Sequence, residues 1–265
     1  MPAVAPSVPE PLLLREDADG IATLTLNRGA ARNALSRGLM AALHGALDVI
    51  RDDRSVRVVV LRGAGPAFCA GHDLKEMRAD PSADSVRALF EACSALMLAI
   101  TRLPQPVIAQ VHGVATAAGC QLVATCDLAI CSEEARFATP GVQIGLFCST
   151  PMVALSRAVP RKAAMEMLLL GEPIDAAEAL RIGLVNRVVP ASDLAAGARA
   201  LAARIAAKAP RVLAIGKKAF GRQAELGLAE AYADASAVMT RNMLMAEAAE
   251  GIDAFLQKRP PRWDT

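Results

Sequence analysis

The chain has 265 residues, a formal charge of +2 and 54% hydrophobic residues. That length supports one sizeable core, with room for a small C-terminal helical region. The balanced charge, with no long basic run, argues against a nucleic-acid partner. No window of about 18 residues is apolar without charge or proline, which argues against a membrane span.

The first residues, M-P-A-V-A-P-S-V-P-E-P, are rich in proline. They lack the apolar core of a signal peptide and the arginines of a transit peptide. Residues 1–10 are expected to be disordered. Leu12–Asp17 and Ile21–Asn27 alternate like strands, with Ala18-Asp19-Gly20 as the turn between them. Ser36 is placed to cap a helix, and Leu39, Leu43, Leu47 and Ile50 follow at helical spacing. Val56–Gly63 is a β-branched strand. Arg87–Leu103 is an amphipathic helix stopped by Pro104. A strand at Val107–Val111, a helix near Ala118–Thr125 and a strand at Leu128–Ser132 follow. Strands alternating with helices predict an α/β core. Beyond about residue 150 the pattern turns helical: Met165–Leu170, Ala176–Arg181, Leu194–Lys208 and Ala229–Ala248, interrupted by V-N-R-V-V-P at Val185–Pro190.

Aromatic residues make up only 3%, so Ala, Leu and Val must fill the interior. The cysteines, Cys69, Cys93, Cys120, Cys126, Cys131 and Cys148, match no zinc or C-x-x-C spacing. They are expected to be reduced, buried thiols in a cytoplasmic protein. His44, His72 and His112 are too few and too scattered to predict a metal site.

Two segments carry the chemistry: F-C-A-G-H-D-L-K-E-M at Phe68–Met77, and H-G-V-A-T-A-A-G-C-Q-L-V-A-T-C-D at His112–Asp127. Each follows a strand-like run and opens a helix. A break of this kind leaves free backbone N–H groups. Facing each other, the N–H groups of His72 and Ala118 would aim at one oxygen, as in an oxyanion hole. Ala117-Ala118-Gly119 would let a substrate approach the backbone, or would simply allow tight packing. Asp73 and Asp127 are expected in structural roles such as helix capping.

These segments resemble the two oxyanion-hole segments of the crotonase family, also called the enoyl-CoA hydratase/isomerase superfamily. N-R-G-A-A-R-N-A-L-S at Asn27–Ser36 resembles that family's coenzyme A loop. G-E-P-I-D-A-A-E-A-L-R-I-G-L-V-N-R-V-V at Gly171–Val189 and A-F-L-Q-K-R at Ala254–Arg259 resemble its trailing signatures. The resemblance implies an α/β, ClpP-like spiral of ββα units over residues 11–195. A C-terminal helical trimerisation region follows over 196–265. It implies an acyl-CoA thioester as substrate, no cofactor beyond the coenzyme A of the substrate, and a homotrimer or a hexamer built as a dimer of trimers. Coenzyme A contacts would fall at Ala31, Arg32, Leu35, Ala70, Lys75 and Gly119, with Lys258 and Arg259 reaching in from a neighbouring subunit.

The sequence departs from the family's hydratases at both proton-handling positions. Where those carry two glutamates, this chain has Gln121 and Gly141. Where isomerases and a dehalogenase carry an aspartate, it has Ser149. An altered hydratase or isomerase is expected. An acyl-CoA decarboxylase, a thioester hydrolase and a non-catalytic acyl-CoA binder remain open alternatives.

Overall fold

A computed structural model describes residues 10–263. The segment expected to be disordered lies outside the described residues except for Glu10. β1 (Leu13–Ala18) and β2 (Ile21–Leu26) pair antiparallel across Asp19-Gly20. Both turn residues have positive φ, 53° and 76°, the conformation that favours an Asp-Gly pair in a two-residue hairpin. β3 (Val58–Gly63), β4 (Val107–Val111), β6 (Leu128–Ser132) and β9 (Arg187–Val189) then add in parallel, giving the order β1-β2-β3-β4-β6-β9.

A second wall is built from β5 (Val114–Thr116), β7 (Arg136–Ala138) and β8 (Ile174–Asp175). Single parallel bridges from Leu35 to His72 and from Cys69 to Ala115 extend it. The chain visits the large sheet, then the small wall, then a helix, and returns one strand further along. Parallel neighbours require such crossovers. The helices that make them are α1 (Arg37–Asp52), α2 (Leu74–Ala79), α3 (Ala83–Arg102) and α4 (Ala118–Thr125). This is the spiral of ββα units.

The central strands are apolar on both faces, because both faces are covered. Val59 and Leu61 belong to the inner core with Leu39, Leu43, Leu47 and Phe137. Val58, Val60, Ile108 and Ile130 pack outward, against Leu194, Ala198, Leu201 and Ala202.

Ser36 caps α1 as expected, accepting the Leu39 N–H. α3 starts at Ala83, four residues before Arg87, because Ser82 accepts the Ser85 N–H and caps it there. α5 (Ser149–Ala158), α6 (Arg161–Leu170) and α7 (Ala176–Arg181) follow. α8 (Leu194–Ala206) supplies the helix on the outer face of the large sheet. The expected division at 195/196 therefore falls two residues into a core helix, and the part that stands off the core begins at α9 (Pro210–Gln223). The expected helix Ala229–Ala248 is two helices, α10 (Leu228–Met243) and α11 (Ala246–Leu256). Leu244 and Met245 keep the apolar spacing, so periodicity does not reveal the extended backbone at Met245 that splits them. Phe220, Leu228, Tyr232, Leu244 and Phe255 on these last helices are all exposed. Among the described residues no helix is long and apolar enough to cross a membrane.

Candidate active site

The loop between β2 and α1 is held by Asn33, which is fully buried. Its amide donates to the Ala64 and Ala67 carbonyls at 2.8 and 2.7 Å and accepts the Arg28 N–H at 2.9 Å. Arg32 and Asn33 both have positive φ, 49° and 53°. Arg28 reaches the Ala34 carbonyl at 2.5 Å and Asp73 at 2.9 Å. The Arg28 guanidinium, then the N–H groups of Glu76 and Lys75, hold the Asp73 carboxyl below its ordinary range. Asp73 is thus the cap of α2 and the latch of the loop. Asp127 is likewise structural. It accepts the Val107 N–H and the Lys217 ammonium, both at 2.7 Å. The sequence reading did not single out Arg28 beyond its loop, or Asn33. The partners that tie them across the fold, Asp73 for Arg28 and Ala64 and Ala67 for Asn33, lie more than thirty residues away, so no local pattern marks them.

The same loop pairs with the first of the two chemical segments. Ala70 N–H bonds to Arg32 O at 3.0 Å, Leu35 N–H to Gly71 O at 2.8 Å, and Asp73 N–H to Leu35 O at 3.2 Å. Residues 71 and 73 thus face Leu35, and strand alternation turns the His72 N–H the other way. There the second segment arrives. Ala117 has φ 50° and ψ −117°, a rarely occupied conformation for a residue with a side chain, and α4 starts at Ala118. The Ala118 N–H is one of the orphans of a helix start. Among the described residues neither His72 N–H nor Ala118 N–H donates a hydrogen bond. A Cβ on Gly71, whose φ is +92°, would lie 2.9 Å from Ala117 Cβ and 3.5 Å from Ala118 N. A Cβ on Gly119 would collide with the Cys69 carbonyl. Small residues are therefore required where the two breaks touch. Gly119 serves that packing from a buried position.

The side chains around this junction are mostly neutral. Gln121 is 4% exposed, and its Oε1 accepts the Cys93 S–H of α3 at 3.8 Å. Burial pushes the Cys93 thiol up to about 12. Burial also pushes the His72 imidazole below its ordinary range, with the Leu35 backbone pulling weakly the other way. Gly141 sits in a short 3-10 turn, Pro140–Ile144, closed by Gly145 at φ 76°. A Cβ there would meet Leu146 O at 2.6 Å and Cys148 Sγ at 2.9 Å. Burial raises the Cys148 thiol, which therefore stays protonated. Ser149 is exposed at the start of α5, its hydroxyl donating to Phe147 O at 3.3 Å.

Residues 16–265 match the family model described as enoyl-CoA hydratase/isomerase. The chain belongs to the enoyl-CoA hydratase/isomerase family. It is 46% identical to enoyl-CoA hydratase domain-containing protein 3, mitochondrial, of Rattus norvegicus, over 92% of this chain and 82% of that protein. It is 45% identical to the Homo sapiens protein of that name, over 97% of this chain and 84% of that one. An enoyl-CoA hydratase crystal structure from Mycobacterium smegmatis superposes with a TM-score of 0.94 at 56% identity, covering 97% of this chain and 100% of that one. The crystal structure of human enoyl-CoA hydratase domain-containing protein 3 superposes at 0.92 with 44% identity, covering 95% and 100%. The crotonase fold is thus shown, and the family acts on acyl-CoA thioesters. The expected cytoplasmic location is corrected by the same comparison, since these rat and human relatives are named mitochondrial. That expectation rested on unpaired cysteines. Cys69, Cys93, Cys120, Cys131 and Cys148 are buried, and a thiol shielded by packing does not report its compartment.

The basic and loop positions that the crotonase resemblance assigns to coenzyme A divide into two kinds. Ala31, Arg32 and Lys75 are exposed, and Ala70 is half-buried beside them. Leu35 is fully buried and offers only its backbone to the junction. Lys258 is exposed at φ 53°. Arg259 instead grips Glu250 with two bonds of 2.7 and 2.8 Å, and within this chain it is committed there.

Proposed function

We propose that this crotonase binds an acyl-CoA and holds its thioester oxygen with the backbone N–H groups of His72 and Ala118. The observation that carries this reading is the pair of partnerless N–H groups at the contact between Gly71 and Ala117. Removal of a group beside the thioester carbonyl pushes an electron pair onto that oxygen. Two fixed donors stabilise the resulting enolate, each worth about 2.7–4 kcal/mol in comparable sites. The loop latched by Arg28 and Asp73 supports the coenzyme A side through Ala31, Arg32 and Lys75.

The reaction is an altered one. Gln121 and Gly141 stand where hydratases of the family carry glutamates, and neither exchanges a proton near neutral pH. The Cys148 thiol fills the space beside Gly141 instead. Ser149 is a polar group at the rim, its hydroxyl turned to the Phe147 carbonyl. The exposed apolar residues of α9, α10 and α11 support assembly as a trimer or a dimer of trimers, with Lys258 approaching a neighbour's coenzyme A.

The test is a panel of acyl-CoA thioesters, crotonyl, 3-hydroxyacyl, malonyl-type and saturated, followed by mass spectrometry. New product from at least one, with crotonyl-CoA hydrated slowly, supports the reading. Carbon dioxide loss from a malonyl-type thioester would put decarboxylation ahead of hydration. No product and no binding across the panel would overturn it.

A further inference from the structure

Three loops build the site, one after each of the parallel neighbours β2, β3 and β4. The first, Asn27–Ser36, bears Ala31 and Arg32. The second, Ala64–Asp73, bears the His72 N–H. The third, His112–Ala117, leads to the Ala118 N–H. The second and third loops are joined by a short backbone ladder. Phe68 N–H donates to His112 O at 3.0 Å, Cys69 N–H to Val114 O at 3.1 Å and Thr116 N–H to Cys69 O at 3.0 Å.

The ladder stops at Phe68. Before it, apart from the Ala64 N–H bond to Leu26 O at 2.9 Å, the stretch Ala64–Ala67 is held by side chains. Asn33 fixes its two ends through the Ala64 and Ala67 carbonyls. Gly65, between them, is held by the half-buried His112 ring, whose Nε2 meets the Gly65 carbonyl at 2.8 Å. Among the described residues no other group donates to that oxygen. A carbonyl only accepts, so the ring carries a proton on Nε2.

Gly65 is also where the second loop touches the first. A Cβ on Gly65, whose φ is +72°, would lie 2.8 Å from Gly29 Cα, and one on Gly29 would lie 3.2 Å from Gly65 Cα. The two backbones are in direct contact because neither residue has a side chain. Gly29 opens the 3-10 turn Gly29–Ala31, which Arg32 closes.

We propose that the His112 side chain is a positioning residue for coenzyme A: by fixing the Gly65 carbonyl it seats the loop Gly29–Arg32 that receives the ligand. This rests on the acyl-CoA reading above. His112 acts through Gly65 and Gly29, and the two halves of the site depend on different bonds. The backbone ladder sets the junction that carries the His72 and Ala118 N–H groups, and it does not need the ring. The coenzyme A loop does. Without the ring the Gly65 carbonyl turns to water and the loop loses its seat. The ligand must then order the loop, and apparent affinity falls with the fraction of chains already seated.

Calorimetric titration with coenzyme A, butyryl-CoA and its thioether S-butyl-coenzyme A, which lacks the carbonyl oxygen, tests this. His112→Phe should weaken all three by about fivefold, the size of one lost hydrogen bond. The ratio between butyryl-CoA and the thioether should stay at its native value, because the junction is intact. His112→Gln offers an amide N–H near the position of Nε2 and should restore most of the affinity. Gly65→Ala pushes directly against Gly29, should also weaken coenzyme A with the ratio kept, and serves if His112→Phe does not fold. Native affinity for coenzyme A in the folded variants, a ratio that falls along with the affinity, or a His112→Gln variant as weak as His112→Phe would overturn the proposal. Failure of coenzyme A and both derivatives to bind the native chain would instead overturn the acyl-CoA reading, and this inference with it.

Discussion

The Cys148 sulfur stands 2.9 Å from the point where a side chain on Gly141 would begin. The Leu146 carbonyl is nearer still, at 2.6 Å, and it is fixed because the Leu146 N–H bonds back to Gly141 O at 2.9 Å. On the proposed alignment of Gly141 with a hydratase glutamate, the turn leaves no room for a side chain at that position.

Hydration of crotonyl-CoA by the native chain should accordingly be at least about 10²-fold below that of an ordinary hydratase. Gly141→Glu should not restore it. The added side chain overpacks the turn, which typically costs about 1–3 kcal/mol. Urea unfolding and a hydration assay on this variant check both statements. A variant as stable as the native chain, with raised hydration, would show that the turn opens freely.

Gly71→Ala tests the junction itself. The new methyl meets Ala117 Cβ at 2.9 Å and Thr116 O at 3.0 Å, at a backbone φ of +92° that favours glycine. Strain of that kind costs about 1–3 kcal/mol. The variant should fold less stably and lose acyl-CoA affinity, because the two N–H groups are forced apart. Thermal unfolding with and without butyryl-CoA reads both effects. A variant that keeps full ligand-induced stabilisation would mean the contact between the segments does not set the site.

Stability should also fall with pH in a window set by His72. Burial lowers the folded ring from its ordinary value of 6.5. Above about pH 6.5 the ring is neutral in both states and contributes nothing. Below it the unfolded chain takes up a proton that the folded ring resists, so stability drops until the folded ring titrates too. Asp73 acts lower, since a depressed carboxyl loses its contribution only as pH falls below about 4. Urea midpoints at pH 7.5 and 5.5 should therefore differ less for His72→Phe than for the native chain. Identical pH dependence would mean that the ring is solvated.

Much of this architecture could be read from spacing. Leu39, Leu43, Leu47 and Ile50 mark one face of α1, Ser36 marks its start, and Val58 to Leu61 mark a strand buried on both sides. The small wall was not legible. Strands of two or three residues, such as Ile174–Asp175 and Val114–Thr116, show no alternation to detect. α5 and α9 went unread as well. At the site, the breaks after Phe68 and Ala117 are visible in sequence because small residues interrupt apolar runs. The surroundings of those breaks are not. That Cys148 fills the space at Gly141, that Phe90 faces the His72 ring, and that Asn33 ties the loop to Ala64 and Ala67 all depend on contacts the spiral makes between separate turns.

The central claim is that two backbone N–H groups hold a thioester oxygen, and one comparison addresses it directly. Butyryl-CoA and S-butyl-coenzyme A share the same nucleotide, pantetheine and carbon chain and differ in the carbonyl oxygen alone. Calorimetric titration of the native chain should give butyryl-CoA at least about tenfold tighter binding, the size expected when hydrogen bonds to one oxygen are lost. Equal affinity for the two would contradict the claim, because it would leave the His72 and Ala118 N–H groups without the partner their geometry implies.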